Sequence, residues 1–241
     1  MKTISSSFLW IVGVLFFLLL FIILATGLLL FSSKKIYPLA RILTRIQLLI
    51  IGAPVRVIGL EKFDHSKSYI IMGNHESLFD VFAIPTAIPM HMVAVEAAYH
   101  FSWPLWGWLT KKWGNIPITR RNLPKAIKSL EKARKVVESG TSILLLPEGH
   151  RTLSGEIGEF KKGPFYLAME AKTDILPFAM SGLFEFKSKY DWTLNPRTIY
   201  VTFGKPITFE SFKDQSIDEI REKVRNTIVA IKQQNKVHTH K

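Results

Sequence analysis

Apolar residues fall into three kinds of run along this chain. The first is continuous. Residues 8–31 carry no charge over 24 positions, about 36 Å as a helix, which exceeds the roughly 30 Å hydrocarbon core of a bilayer. The second kind follows at Tyr37 to Ile50 (YPLARILTRIQLLI), where apolar residues recur at helical spacing and Arg41 and Arg45 share a face; this predicts an amphipathic helix. The two form either a spanning helix with an interfacial companion or a helical hairpin dipping into one leaflet. The third kind is short: PVRVIG (54–59), SYIIMG (68–73), HMVAV (91–95), SILLLP (142–147), DILPFAM (174–180) and TIYVTFG (198–204) read as strands. Helical patterns separate them. One lies between Ile118 and Ser142, with Asn122 as cap, Pro124 in the first turn, apolar Ile127, Leu130, Ala133 and Val137, and Gly140 past its end. The last opens on the capping box Ser216-x-x-Glu219 and carries Ile217, Ile220, Val224, Ile228 and Ile231 on one stripe.

This alternation predicts an α/β domain with a largely parallel sheet flanked by helices, whose chemistry sits where strands give way to loops and helix starts. Residues 1–52 are expected to form the anchor and interfacial helix, and 53–241 one catalytic domain. A cleavable signal peptide has an apolar run of about 7–15 residues and a small-residue cleavage site. Here the run continues through Leu28-Leu29-Leu30-Phe31, so a retained anchor is expected. Only Lys2 precedes the run, whereas Lys34, Lys35, Arg41, Arg45 and Arg56 follow it, which places the catalytic part in the cytoplasm by the positive-inside bias.

Composition narrows the chemistry. The chain is 48% hydrophobic and 21% charged, an ordinary globular balance with no segment biased towards disorder. It has no cysteine, which removes thiol nucleophiles, disulfides and cysteine metal sites, and leaves oxygen and nitrogen groups to carry any catalysis. A formal charge of +13 suits a polyanionic partner: nucleic acid, an anionic lipid surface or a phosphorylated substrate. The apolar N-terminus favours lipid, and no nucleic-acid-binding motif is present.

Asn74-His75-Glu76-Ser77-Leu78-Phe79-Asp80 follows one strand and precedes a helical pattern. Five residues apart, His75 and Asp80 differ by about 140° on a regular helix, so His75 must lie before it for the two to meet. From there its ring can fold back to Asp80 and become an oriented general base. The same residues admit a blander reading, in which His75 caps the helix and Asp80 favours its positive end. Leu146-Pro147-Glu148-Gly149-His150-Arg151-Thr152 ends another strand. Its glycine allows close backbone approach and Arg151 offers a planar fork suited to phosphate, or Glu148 and Arg151 simply pair. Gly114-Asn115-Ile116-Pro117-Ile118-Thr119-Arg120-Arg121 and Phe160-Lys161-Lys162-Gly163 set cations beside apolar segments, and Ile175-Leu176-Pro177-Phe178-Ala179-Met180 reads as a core strand.

In this order, NHxxxxD, GxIxIxR, PEGxR and an apolar (I/V)xP strand behind an N-terminal anchor, the chain resembles the 1-acylglycerol-3-phosphate acyltransferase family over residues 68–204. The resemblance implies a mixed α/β fold, no metal and no cofactor, and acyl-CoA or acyl-carrier protein as donor. It makes His75 the base and Asp80 its orienting partner. Asn74, Gly114, Ile116, Thr119, Arg120, Glu148, Gly149, Arg151, Lys161 and Pro177 become substrate-binding candidates. The expected reaction is acylation of the free hydroxyl of a lysophospholipid, 1-acyl-glycerol-3-phosphate, giving phosphatidic acid, with another lyso-lipid acceptor or a non-catalytic lipid-binding protein as alternatives. Membrane lipids are expected partners. A serine hydrolase using Ser77 lacks the G-x-S-x-G elbow. Two departures leave the head group open: Val95-Glu96-Ala97-Ala98-Tyr99-His100 holds no lysine where the family often has one, and His150 replaces the usual small residue after Glu148-Gly149.

Overall fold

The computed structural model of the chain describes residues 2–119 and 123–239. Among these a seven-stranded sheet forms, from β1 (Val55–Ile58), β2 (Ile70–Met72), β3 (Met92–Ala97), β4 (Ile116–Ile118), β5 (Ser142–Leu145), β6 (Ile175–Ser181) and β7 (Ile199–Phe203), in the order β1-β7-β6-β2-β5-β3-β4. Every neighbouring pair is parallel except β6 with β7, so the sheet is mixed and largely parallel, as the alternation of elements required. Six strands coincide with the apolar segments of the sequence. β4 does not, because three residues centred on Pro117 read as loop; it lies at the sheet edge, where proline's missing N–H breaks no ladder.

Side chains alternate across the sheet with period two. Ile71, Leu144, Leu176, Phe178 and Met180 face a core shared with α2 (Ser33–Ile50) and α3 (Asp80–Ala87). Ile70, Met72, Ile143, Leu145, Ile175 and Ala179 face a second core, against α5 (Leu123–Glu138), α6 (Gly163–Glu170) and α8 (Ile217–Thr239). The result is three layers with both sheet faces covered. The apolar stripe of α8 is buried at Ile220, Val224, Ile228 and Ile231, and its capping box closes: the Ser216 N–H donates to Glu219 Oε2 at 2.7 Å and the Glu219 N–H to Ser216 Oγ at 3.3 Å. In α5, Ala133 and Val137 are buried but Ile127 is exposed, and the expected cap Asn122 lies outside the described residues.

The N-terminal residues form a helical hairpin. α1 (Lys2–Leu30) buries Leu20, Leu24 and Leu28 against Ile36, Ala40 and Leu43 of α2 and Leu109 of α4 (Trp106–Trp113). α2 begins four residues ahead of the expected Tyr37, since Pro38 is exposed near the helix start and the hydrogen bond it forgoes is left to solvent. The N-terminal half of α1 rests on the sheet domain. Trp10 Nε1 donates to the Trp192 carbonyl at 2.7 Å, its ring lies 5.7 Å from that of Phe79, and the Leu194 N–H donates to Ser6 Oγ at 3.1 Å. The opposite flank of α1 exposes Ile4, Phe8, Ile11, Leu15, Leu18, Ile22 and Leu29. Residues Thr3–Leu30 are long and apolar enough to cross a membrane.

Candidate active site

Strand register brings the first two motifs together. β2 and β5 are parallel neighbours with Met72 opposite Leu145, and three residues beyond each lie His75 and Glu148. The His75 N–H donates to Glu148 Oε1 at 2.8 Å, and the His75 carbonyl accepts from the Thr152 N–H at 2.8 Å. Glu148 is 1% exposed, and its second oxygen accepts from the Gly158 N–H at 2.9 Å. Both polar groups of the His75 peptide are therefore held by the 147–158 loop. Gly73, just upstream, is needed for packing: a Cβ there would lie 2.3 Å from the Phe178 ring.

Asp80 opens α3 and turns its side chain back over the loop. It is 1% exposed and accepts three hydrogen bonds: from the Glu76 N–H (2.9 Å), the Ser77 N–H (2.9 Å) and His75 Nδ1 (2.5 Å). An ionised carboxylate only accepts, so this network assigns the proton of the neutral imidazole to Nδ1, and Nε2 has no hydrogen-bond partner among the described residues. The His75 side chain is 24% exposed. His75 caps no amide of α3 among the described residues. Ser77 is buried and donates its hydroxyl to the Lys187 carbonyl at 2.8 Å, which leaves the serine-nucleophile reading without a presented hydroxyl.

A second layer supports this turn. Met180 of β6 donates to Asn74 Oδ1 at 2.7 Å, and Asn74 Nδ2 donates to the Met180 carbonyl and Glu76 Oε1. Glu76, buried beside it, accepts from Leu183 N–H (3.0 Å) and Phe184 N–H (3.1 Å) at the start of α7 (Leu183–Phe186) and from Lys232 Nζ of α8. Burial pushes the Glu76 carboxyl up to about 7, against the pull of the Lys232 ammonium. Lys232 also donates to the Gly155 carbonyl at 2.7 Å, while Arg225 bonds the carbonyls of Gly158 and Ile157, each at 3.0 Å. The sequence reading missed Glu76, Thr152, Gly158, Lys187, Arg225 and Lys232. One signal was available: Lys232 lies four residues after Ile228, so it continues the apolar stripe of α8 with a charge.

The remaining candidates scatter. Asn74 and Glu148 spend their polar atoms on protein partners, and these bonds position the turn. Ile116 is wholly buried in the core and Pro177 is buried in β6 beside Met72. Gly114 caps α4 with φ 98°, at the end of β4 opposite the His75 edge. Thr119, half-buried, leaves β4 at the same edge as His75 but three strands away. Arg120 lies outside the described residues. Gly149 takes φ 73° and its N–H donates to the Leu146 carbonyl at 2.9 Å, making a turn. Lys161 is exposed, its N–H bonded to the Pro147 carbonyl at 2.9 Å. Arg151 is half-buried and close enough to Lys187 for its charge, after burial, to hold that ammonium below the ordinary lysine range. Where a lysine is absent from 95–100, Glu96 instead accepts from Asn115 Nδ2 at 2.7 Å and meets His100 at 3.2 Å.

The sequence model of one protein family, described as Acyltransferase, matches residues 54–181. A 1-acyl-sn-glycerol-3-phosphate acyltransferase of Saccharomyces cerevisiae is 30% identical over 193 residues, covering 79% of this chain and 63% of that protein. One from Cocos nucifera is 28% identical over 181 residues, covering 75% of this chain and 58% of that protein. The chain thus spans about three fifths of the length of the curated relatives it matches. The crystal structure of the 1-acyl-sn-glycerophosphate (LPA) acyltransferase PlsC from Thermotoga maritima superposes with a TM-score of 0.83 over 95% of both chains at 18% identity, a likeness of fold that extends through the N-terminal hairpin.

Proposed function

The chain belongs to the acyltransferase family, and from that premise we propose that it is a membrane-seated O-acyltransferase. It moves a fatty acyl group from acyl-CoA or acyl-carrier protein to the free hydroxyl of a lysophospholipid. The acceptor is 1-acyl-glycerol-3-phosphate and the product phosphatidic acid, in keeping with the names of the yeast and coconut relatives. The observation that carries this reading is the His75 ring, tied through Nδ1 to a buried Asp80 at 2.5 Å with its other nitrogen uncommitted.

In the proposed step Nε2 takes the hydroxyl proton as the acceptor oxygen attacks the thioester carbonyl. A C–O bond forms, the C–S bond breaks, and the imidazolium, stabilised by Asp80, returns the proton to the departing thiolate. No acyl-enzyme is needed. General base catalysis contributes about 10²–10⁴-fold, and holding both substrates in position supplies much of the rest. Arg151 binds the acceptor's phosphate. The hairpin, residues 1–52, seats in one leaflet with the catalytic part, 53–241, on the cytoplasmic face, and the apolar flank of α1 makes that seat favourable.

Steady-state kinetics and melting curves on the same preparations test the mechanism. His75→Ala loses most of kcat with little change in donor KM, Asp80→Asn does likewise, and the double variant is about as slow as the worse single one, because the two residues act as a unit. A His75→Ala protein that is destabilised yet nearly fully active per folded molecule would end this reading.

A further inference from the structure

The Ser77 hydroxyl, buried behind the histidine turn, donates to the Lys187 carbonyl at 2.8 Å and so seats the chain leaving α7 against that turn. Lys187 is 8% exposed. Its ammonium donates to the Ser188 carbonyl at 2.7 Å, which leaves two N–H groups for a further partner. On the other side, Thr152 bonds the His75 carbonyl and fixes its neighbour Arg151 beside the same turn. Among the described residues neither Arg151 nor Lys187 has a carboxylate at ion-pair distance. Asp191 acts on Lys187 only from further off and accepts hydrogen bonds from the Thr193 N–H (2.9 Å) and hydroxyl (2.7 Å). Burial first, and then the charge of Arg151, holds the Lys187 ammonium below the ordinary lysine range. A buried ammonium and a half-buried guanidinium, set on two sides of the same turn, cost free energy until an anion joins them, and a dianion relieves that cost most.

We propose that Lys187 and Arg151 together form a cradle for a phosphate monoester, and that Lys187 is the residue that selects a lysophospholipid with a dianionic monoester head group over phosphodiester and uncharged ones. This rests on the reading of the site as a lysophospholipid acyltransferase. Arg151 supplies a planar fork for two oxygens, and Lys187 a point charge for the third. The second negative charge of a monoester is what the second cation meets. A phosphodiester carries one negative charge and has two of its oxygens esterified, so it gains less from Lys187.

The test uses the full chain in lipid nanodiscs, with Lys187→Met, which keeps the aliphatic stem, and Lys187→Arg, which keeps the charge. With 1-acyl-glycerol-3-phosphate as acceptor, Lys187→Met raises KM about tenfold, the size of one lost charge-assisted hydrogen bond. Donor KM and limiting kcat stay within about twofold, the preference over 1-acyl-glycerophosphoethanolamine shrinks by the same factor, and Lys187→Arg recovers part of it. Unchanged acceptor KM, an equal rise for both acceptors, or a rise for the donor overturns the cradle.

Two measurements need no turnover. Calorimetric titration of the monoester without donor gives weaker binding for Lys187→Met than for the unaltered protein. Acetylation of Lys187 in the unaltered protein, followed by mass spectrometry, is slowed by the monoester lyso-lipid and not by the diester, a result independent of whether any variant folds. Absence of that protection counts against the proposal. An unaltered protein that binds the monoester selectively but transfers nothing would remove the acyltransferase reading and keep the cradle. Transfer that is indifferent to Lys187, in rate and in binding, would do the reverse.

Discussion

Glu148 holds two peptide N–H groups, those of His75 and Gly158, with its two carboxylate oxygens. The family resemblance made it a candidate substrate contact, and the fold turns it inward. Glu148→Gln replaces one of those acceptor oxygens with an NH₂ that faces a donor. Leaving a buried donor unpaired costs about 1–3 kcal/mol, so this variant is expected to melt lower and to lose kcat with little change in acceptor KM; a rise in acceptor KM alone would return Glu148 to the acceptor's surface. At this scale the sequence was legible where the chemistry is local. The His75–Asp80 pairing is one of the two readings that a five-residue spacing across a strand-to-helix turn allows, and the structure forms it. The bond between His75 and Glu148 spans 73 residues and depends on the register of β2 with β5, which no local pattern contains. Ile116 and Pro177, site candidates through the family resemblance alone, are buried, and the 174–180 segment is the core strand that its apolar run suggested.

Among the elements, α8 does more than cover the sheet. Its Ile220, Val224 and Ile228 were readable as a stripe, but Lys232 and Arg225 reach past that face to the Glu76 carboxylate and to the carbonyls of Gly155, Ile157 and Gly158. Lys232→Met leaves Glu76 buried without its counter-charge. Breaking a buried pair in this way costs about 3–5 kcal/mol, and melting curves at pH 8 are expected to show it. The pH dependence has a definite sign. Glu76 has a folded pKa raised from 4.5 to about 7, so it takes up a proton on folding, and the stability this contributes is full below about 4.5 and lost as pH rises through about 7. Removing Lys232 raises that folded value further. The melting gap between variant and unaltered protein should therefore narrow as pH falls from 8 towards 5, and a gap that widened would refute the pairing. β4 and α7 escaped the sequence reading because a three-residue edge strand with a central proline and a four-residue helix have no periodicity to detect.

Across the whole molecule, the hairpin and the His75 turn are in contact: Trp10 of α1 packs on Phe79, within the His75–Asp80 segment. The length and apolarity of α1 were plain in the sequence; its lying against the sheet domain was not, because that contact depends on loop residues 192 and 194 folding back to it. Trp10→Ala is expected to cost less than the roughly 3–5 kcal/mol of a fully buried tryptophan, since Trp10 is only half-buried. It should also reduce kcat in nanodiscs while leaving membrane attachment intact in flotation assays. Unchanged kcat would mean that the anchor only tethers. One flank of α1 is covered by protein from Ser6 to Leu28, and the other is apolar from Ile4 to Leu30. Under the proposed function, a helix gripped along one side and greasy along the other fixes the depth of the imidazole, so acceptor molecules arrive by lateral diffusion in a plane. The quantity that sets the rate is then the mole fraction of acceptor among the lipids: adding inert phospholipid at constant total acceptor slows the enzyme, whereas diluting the same vesicles, enzyme attached, with buffer leaves each enzyme's acylation of its neighbours unchanged while donor is kept saturating.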